Sequence, residues 1–208
     1  MIFFGNFPCK NETKQLSLRH RYKRANMHHY KHIIKGVRTN EMKSQMAFYD
    51  LFCKPVYQSA YAIVGNHDEA EEIMHDTLLK VFTKTDLLHE DSGVMKRVLK
   101  RITVNQAIDV LRKRKDFIVA MDENEFEETE DEEDDDEYEL SIADIKDGIE
   151  RLSSVYRSII SLRLFEEMGF AAIAVLLHIN ASTVRVQYSR GILKLRTILK
   201  QKIYNDVS

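Results

Sequence analysis

Residues 170–196, Phe170 to Arg196, read FAAIAVLLHINASTVRVQYSRGILKLR and decide the fold class of this chain. The first part is an apolar run with three alanines, which permit close helix packing, and the break His178-Ile179-Asn180 follows it. After the break, Asn180 or Ser182 can cap a second helix by accepting hydrogen bonds from its free N–H groups. Apolar or small residues then recur at helical spacing, which predicts one buried stripe made of Val184, Tyr188, Gly191 and Leu195.

The opposite side of the second helix is polar and basic. No acidic residue occurs anywhere from Phe170 to Arg196, and the polar side carries Ser182, Arg185, Ser189, Arg190 and Arg196. Two short helices with a tight turn and a basic second helix predict a helix-turn-helix, whose second helix enters the major groove of DNA. An ordinary pair of packed helices with solvated arginines is the alternative.

The composition predicts an all-α protein with two small helical domains. The 208 residues include only two prolines and seven glycines, and the length suffices for two domains that each bury a core. The longest wholly apolar run, 170–177, is far shorter than the roughly 20 residues that a membrane span requires. Two isolated cysteines, Cys9 and Cys53, fit neither a disulfide framework nor a zinc site. We therefore expect a cytoplasmic protein without membrane insertion, metal or cofactor.

The charge of the chain is unevenly distributed. Residues 122–139 contain fourteen acids and no base, whereas the whole chain has a formal net charge of −2. The remainder is therefore strongly basic, as expected of a nucleic-acid-binding protein. The acidic segment is too poor in apolar residues to fold and its charges repel one another, so we predict a flexible linker over 118–141.

The first helix is expected to begin only after an N-terminal tail. Residues 1–27 show no apolar periodicity and are interpreted as a basic, disordered tail, so either Met1 or Met27 could be the start of the protein. Residues 41–64 are expected to form two helices that Pro55 separates.

The next predicted helix runs to about Lys84. Asn66 and Glu69 have the spacing of a capping box at its beginning. One face is apolar, and the outer face carries Glu71, Glu72, His75 and Asp76. Such a face is usually only solvated unless other features identify a partner.

A further helix is predicted from Val94 to Lys115. Polar residues recur along one side of it at Arg101, Asn105, Asp109 and Arg112, and we expect Asp109 and Arg112 to form an ion pair. Its last residues are Arg112, Lys113, Arg114 and Lys115. Cations at a helix C-terminus complement the dipole. Four in succession repel one another, however, and a nearby phosphate backbone would relieve that repulsion.

Beyond the acidic segment, one amphipathic helix is predicted to lead into the helix-turn-helix. Its apolar positions are Ile145, Ile149, Leu152, Tyr156 and Ile159.

Three of these segments together resemble a bacterial RNA polymerase sigma factor of the extracytoplasmic-function group, within the sigma-70 family. The run NHDEAEEIMHDTLLKVF is similar to the region-two helix that docks on the clamp of core polymerase. The run VLKRITVNQAIDVLRKRK is similar to the helix that melts promoters and reads the minus-ten element. Residues 149–196 resemble region four, which reads the minus-thirty-five element. The resemblance covers roughly residues 30–200.

The resemblance implies a region-two domain at 28–117, a region-four domain at 142–205, and two partners. Core RNA polymerase would meet the acidic face at Glu71, Glu72 and Asp76. Promoter DNA would be bound both as duplex and as a melted non-template strand, the latter by Asn105 and the loop 84–93. The upstream duplex would lie near Arg112, Lys113, Arg114 and Lys115, and the major groove would meet Ser182, Thr183, Arg185, Val186, Ser189 and Arg190. The family's linker runs through the RNA channel of polymerase, a role that the length and charge of 122–139 suit.

Two departures from the family's pattern lead to local expectations. His178 stands in the break where family members commonly have Gly, so a positive φ is expected there. The loop 83–93 has no aromatic residue to stack on an unpaired base, and Leu87, Leu88 and His89 are the candidates to replace one.

A stand-alone helix-turn-helix regulator that needs no polymerase is the alternative function. It explains 170–196 equally well but gives 66–115 and the acidic segment no role. An enzyme is not expected, because the sequence has no phosphate-cradling Gly loop, no cluster of metal ligands, and no nucleophile placed beside a base. An anti-sigma factor is a candidate further partner.

Overall fold

The computed structural model describes residues 29–114 and 141–207, with side chains described as far as Lys202. Within these ranges the regular structure is helical and no strand occurs, which confirms the all-α prediction. The predicted tail 1–27, the linker 118–141 apart from its last residue, and Lys115 lie outside the described residues.

Eight α-helices are described. They are α1 (29–38), α2 (Met42–Val64), α3 (His67–Thr83), α4 (Ser92–Arg112), α5 (Ile142–Glu150), α6 (Ser154–Leu164), α7 (Phe170–Leu177) and α8 (Ala181–Val207). A short 3-10 turn, Thr85–Leu87, follows α3.

The predicted interruption at Pro55 is wrong, because α2 continues through it as a single helix. Pro55 has no amide hydrogen and so cannot donate to the carbonyl of Leu51. Both residues are exposed on the outer side of α2, where water can satisfy that carbonyl. The proline therefore removes one helical hydrogen bond without ending the helix.

The chain divides into two compact units. Of the described residues, the first contains 29–52 together with Lys80–Val98, and the second contains Cys53–Leu79 together with 99–114 and 141–207. Helices α5 to α8 thus belong to the same unit as the later parts of α2 and α4 and the first thirteen residues of α3, 67–79. The assignment of separate tasks to 28–117 and 142–205 stays a prediction.

Aromatic rings form much of the core of the first unit. Phe48 is fully buried, and its ring centroid lies 4.7 Å from that of Phe52 and 5.6 Å from that of Phe82. Tyr30 of α1 meets the Phe52 ring edge-on at 6.3 Å. Offset and edge-on ring contacts of this kind stabilise a core beyond the area that they bury.

In the second unit, the apolar faces of α7 and α8 are buried in one cluster. Ile173 of α7 and Val184 of α8 are fully inaccessible to solvent. They share the cluster with Val155 and Ile159 of α6. Helices α2 to α4 contribute Ala60, Ile63, Val64, Ala70, Ile73, Val104, Ala107, Ile108 and Leu111.

The turn between α7 and α8 has the predicted left-handed residue. His178 adopts φ 57° and ψ 40°. Its own amide donates to the carbonyl of Val175 at 3.3 Å, and the next amide, of Ile179, donates to Ala174 at 3.1 Å. These bonds satisfy carbonyls that the end of α7 would otherwise leave unpaired. The expected positive φ and the helix-turn-helix are both confirmed.

The segment predicted as one amphipathic helix is instead two helices, α5 and α6. Ser153 between them is extended, with φ −59° and ψ 157°. Arg157 Nη2 donates to the carbonyls of Glu150 at 2.8 Å and Leu152 at 2.7 Å, which lie where α5 ends. Burial lowers the pKa of the Arg157 guanidinium. Arg157, the fourth residue of α6, thus caps the C-terminal end of α5 with its side chain.

From Gly191 onward, α8 packs closely on α5 and α6. A Cβ atom on Gly191 would lie 2.9 Å from Ile160 Cδ1 and 3.2 Å from Tyr156 Cβ, so a larger residue would require these side chains to shift. Lys202 Nζ lies 2.8 Å from Asp144 Oδ1 and 3.2 Å from Asp147 Oδ2. The hydrogen bond from Lys202 is the main cause that lowers the pKa of Asp144 to about 2.

Gly65, between α2 and α3, should not tolerate a side chain. Its φ is +66°, and an added Cβ would overlap with Arg157 Nη1. We expect Gly65→Ser to lower the free energy of unfolding by at least about 1–2 kcal/mol, the cost of a left-handed backbone for a residue with a Cβ.

Gly169→Ser is the matched control, because nothing lies within 4 Å of a Cβ there and Ser suits a helix N-cap. Urea unfolding of both variants provides the measurement. Equal stability of the two variants would contradict the constraint at Gly65.

Candidate nucleic-acid interface

The first turns of α8 separate a polar face from a buried stripe, as the sequence predicts. Val184, Gly191 and Leu195 are buried, and Tyr188 is half-buried. Of the residues predicted to meet DNA, Thr183 and Arg190 are half-buried, whereas the exposed ones are Ser182, Arg185, Val186 and Ser189. The exposed side chains lie on one side of the helix and are not needed by the core.

One aromatic ring at the start of α7 connects two arginines. The Phe170 ring centroid lies 5.0 Å from Arg163 Cζ and 6.0 Å from Arg185 Cζ. Tyr188 meets the same ring at 5.3 Å between centroids. The sequence predictions included Arg185 but neither Phe170 nor Arg163. The only signal in the sequence is an aromatic residue beside Gly169, and this signal does not identify the cations that contact the ring.

The polar stripe on α4 has the predicted exposure. Arg101, Asn105 and Asp109 are exposed, and Arg112 is half-buried. Arg112 Nη1 lies 3.3 Å from Asp109 Oδ1, which confirms the predicted ion pair.

The cations at the C-terminal end of α4 and just beyond it have different surroundings. Arg112 Nη2 donates to the carbonyl of Leu176 in α7. Arg114 forms an ion pair with Glu69 and donates to the carbonyl of Val64 at 3.2 Å. Lys113 is exposed. Arg112 and Arg114 therefore also hold the second unit together, a role that sequence reasoning missed.

A buried carboxylate lies just before α7. The Glu166 side chain is only 5% exposed. Lys100 Nζ on α4 lies 3.0 Å from Glu166 Oε2, and Ser59 Oγ on α2 donates to Glu166 Oε1 at 2.7 Å. These two contacts tie α2 and α4 to the turn that precedes the helix-turn-helix. None of the three residues stood out in the sequence.

The loop 84–93 is fixed within the first unit by bonds to its backbone. Tyr30 Oη donates to the carbonyl of His89 at 3.1 Å, and Arg38 Nη2 donates to that of Leu88 at 2.9 Å. Leu88 is buried, Leu87 is half-buried and His89 is exposed. Of the three proposed substitutes for a stacking aromatic, Leu88 belongs to the core instead.

The acidic face of α3 is arranged as predicted. Glu71, Glu72 and Asp76 are all exposed, whereas the opposite face, with Ala70, Ile73, Met74 and Leu78, is buried. At the start of the helix, Asn66 Oδ1 accepts from the amide of Glu69 at 3.0 Å, which is the predicted N-cap bond. The three acids can therefore contact a partner without disturbing the core.

In 29–114 and 141–207, no group of three or more His, Cys, Asp and Glu side chains is placed to hold a metal ion. In the same ranges, no individual helix has both the length and the apolar character of a membrane span, although α7 and most of α8 reach that level as a bent pair.

Comparison with known proteins assigns two segments of the chain to one family. The family described as "Sigma-70 region 2" matches residues 48–117, and "Sigma-70, region 4" matches residues 142–195. Together the two matches cover more than half of the chain.

Two relatives found by sequence agree with these matches, and one solved structure aligns with this chain. The Bacillus subtilis RNA polymerase sigma factor SigV is 27% identical over 146 residues, which are 70% of this chain and 85% of that protein. The ECF RNA polymerase sigma factor SigW of the same organism is 27% identical over 184 residues, which are 80% of this chain and 95% of that protein. The sigma factor RpoE, in complex with the anti-sigma factor NepR from Bartonella quintana, aligns with a TM-score of 0.45 at 24% identity, over 76% of this chain and 98% of that one.

Region two precedes region four in one chain, in the order that the sequence resemblance implies. This chain belongs to the extracytoplasmic-function group of the sigma-70 family of RNA polymerase sigma factors.

Proposed function

We propose that the chain is a transcription initiation factor that binds core RNA polymerase in the cytoplasm and directs it to specific promoters. The observation that carries this function is the presence of both family regions in order, 48–117 and 142–195. The first supplies an exposed acidic helix face and the second an exposed basic helix-turn-helix face. A factor that joins polymerase to DNA needs one surface for each partner.

The acidic face of α3 is the proposed polymerase-binding surface. Glu71, Glu72 and Asp76 carry three carboxylates on one side of a helix whose other side is packed. Exposed charged groups of this kind steer association with a surface of opposite charge and fix the orientation in which the two proteins meet.

The first turns of α8 are the proposed surface for the minus-thirty-five element. Arg185 lies near the helix N-terminus, where a recognition helix reaches base edges, and a bidentate arginine–guanine contact discriminates between bases. Arg190 lies further along the helix and suits a phosphate, a contact that positions the protein without reading sequence.

The end of α4 is the proposed contact with promoter DNA near the minus-ten element. Asn105 and Lys113 are exposed, so their side chains can contact DNA without any change in the structure. Arg112 donates to Leu176, so DNA would have to replace that carbonyl as its partner. We extend the proposal to the loop 84–93 as a contact for the melted strand, and to 122–139 as the segment that follows the RNA channel.

A stand-alone regulator is not favoured, because it gives the match to region two no role. Run-off transcription of genomic DNA with core polymerase tests the proposed function directly. Start sites that appear only when both proteins are present support it. DNA binding of equal strength and specificity without polymerase, and no new start sites with it, would favour the regulator.

The double variant Glu72→Lys and Asp76→Lys should bind core polymerase much less tightly. Both side chains are exposed, so the helix should remain folded. Co-purification with core polymerase measures binding, and circular dichroism verifies the fold.

The control for this variant is Asp50→Lys with Glu150→Lys, which changes the net charge equally at two exposed acids outside α3. If both double variants lose binding to the same extent, net charge and not the α3 face is responsible.

Arg185→Ala and Arg190→Ala should have different effects on DNA binding. Arg185→Ala should lower the preference for the minus-thirty-five sequence by roughly 1–3 kcal/mol at one base pair, with little change in stability because Arg185 is exposed. Arg190→Ala should weaken binding to all sequences alike and reduce the salt slope by about one unit.

Binding of holoenzyme to promoter variants across a salt series measures both effects. Unchanged affinity and unchanged preference in both variants would show that this face of α8 does not read DNA.

A further inference from the structure

We propose that Phe170 is a positioning residue that holds the Arg185 guanidinium for base reading, and so contributes to promoter specificity. The proposal rests on the proposed function of α8 and adds to it a residue on the other helix of the helix-turn-helix. It derives from a side-chain arrangement that joins the start of α7 to the start of α8.

The Phe170 ring is placed where Arg185 can rest on it. Phe170 is the first residue of α7 and is half-buried. Arg185 Cζ lies 6.0 Å from its ring centroid, at the outer limit of a cation–π contact. Arg185 itself is exposed, so this contact does not bury the arginine in the core.

The ring is itself held from other directions. Arg163 Cζ lies 5.0 Å from the centroid, and Arg163 Nη1 is anchored by donation to the carbonyl of Met168 at 3.2 Å. Tyr188, one turn after Arg185 on α8, meets the ring at 64° between planes. Phe170 also packs against the large apolar cluster of the second unit. The ring therefore presents a fixed surface to Arg185.

Such a surface favours recognition by restricting Arg185 before DNA arrives. A free arginine side chain has many rotamers, and ordering it on binding costs entropy. A guanidinium that rests on a ring keeps its in-plane N–H groups available, and these are the donors of a bidentate contact with guanine. The two arginines at one ring also concentrate positive charge at the opening of the helix-turn-helix.

The test compares Phe170→Leu with Phe170→Tyr. Leucine keeps an apolar side chain but has no π face, whereas tyrosine keeps the ring. Holoenzyme from the full chain and core polymerase is mixed with a mapped promoter randomised over the minus-thirty-five segment, and the bound DNA is sequenced. We expect Phe170→Leu to reduce discrimination at the base pair read by Arg185 about two- to five-fold, the range of an exposed cation–π contact. Phe170→Tyr should retain wild-type discrimination.

The double variant Phe170→Leu with Arg185→Ala shows whether the ring acts through the arginine. We expect it to discriminate no worse than Arg185→Ala alone, because the residue that Phe170 positions is already absent. Salt dependence should equal that of the wild type in Phe170→Leu, since the ring neutralises no phosphate. Thermal unfolding accompanies each variant, and Phe170→Met replaces the leucine variant if the latter does not fold.

Each outcome bears on a definite claim. If the wild-type holoenzyme selects no minus-thirty-five sequence, the proposed function of α8 fails. If the wild type selects a sequence and Phe170→Leu selects it equally well, the function stands and the positioning role is wrong. A uniform loss of affinity without a change in preference would also overturn that role, because it would identify Phe170 as only a packing residue.

Discussion

Burial of the apolar faces of α7 and α8 is the constraint on which the proposed DNA-binding surface depends. An isolated helix as short as the eight residues of α7 is marginal in water, so packing must supply its stability. Ile173 and Val184 meet this requirement in one cluster with α6, the later parts of α2 and α4, and the first part of α3. The exposed side of α8 is therefore oriented by residues that are buried in the core.

The carboxylate of Glu166 reinforces the same arrangement by a polar route. A buried charge is tolerated when its hydrogen bonds and its counter-charge are both present, and removal of one partner leaves it uncompensated. Lys100 supplies the charge and Ser59 a hydrogen bond, each from a different helix. The turn before α7 is thus fixed by a specific polar contact as well as by apolar area.

Local patterns in the sequence predicted the features that depend on local spacing. The stripe of α8, the acidic face of α3, the Asp109–Arg112 pair and the positive φ at His178 are of this kind. The continuation of α2 through Pro55 depends on which side of the helix faces water, and the division between α5 and α6 depends on Arg157 as a cap. The contacts of Arg112 with Leu176 and of Phe170 with Arg185 join residues on different helices, so no periodicity reveals them. The assigned roles of the DNA-facing residues and of the acidic face stay predictions.

The separation of the two faces of α8 also affects how such a protein can evolve. The residues that hold the helix in place and the residues that project from it are interleaved along the same turns but are not shared. Substitutions at 182, 185, 186 and 189 are therefore only weakly constrained by the core. Under the proposed function of α8, duplicated copies of the gene can diverge in the promoters that they recognise while they inherit an unchanged scaffold.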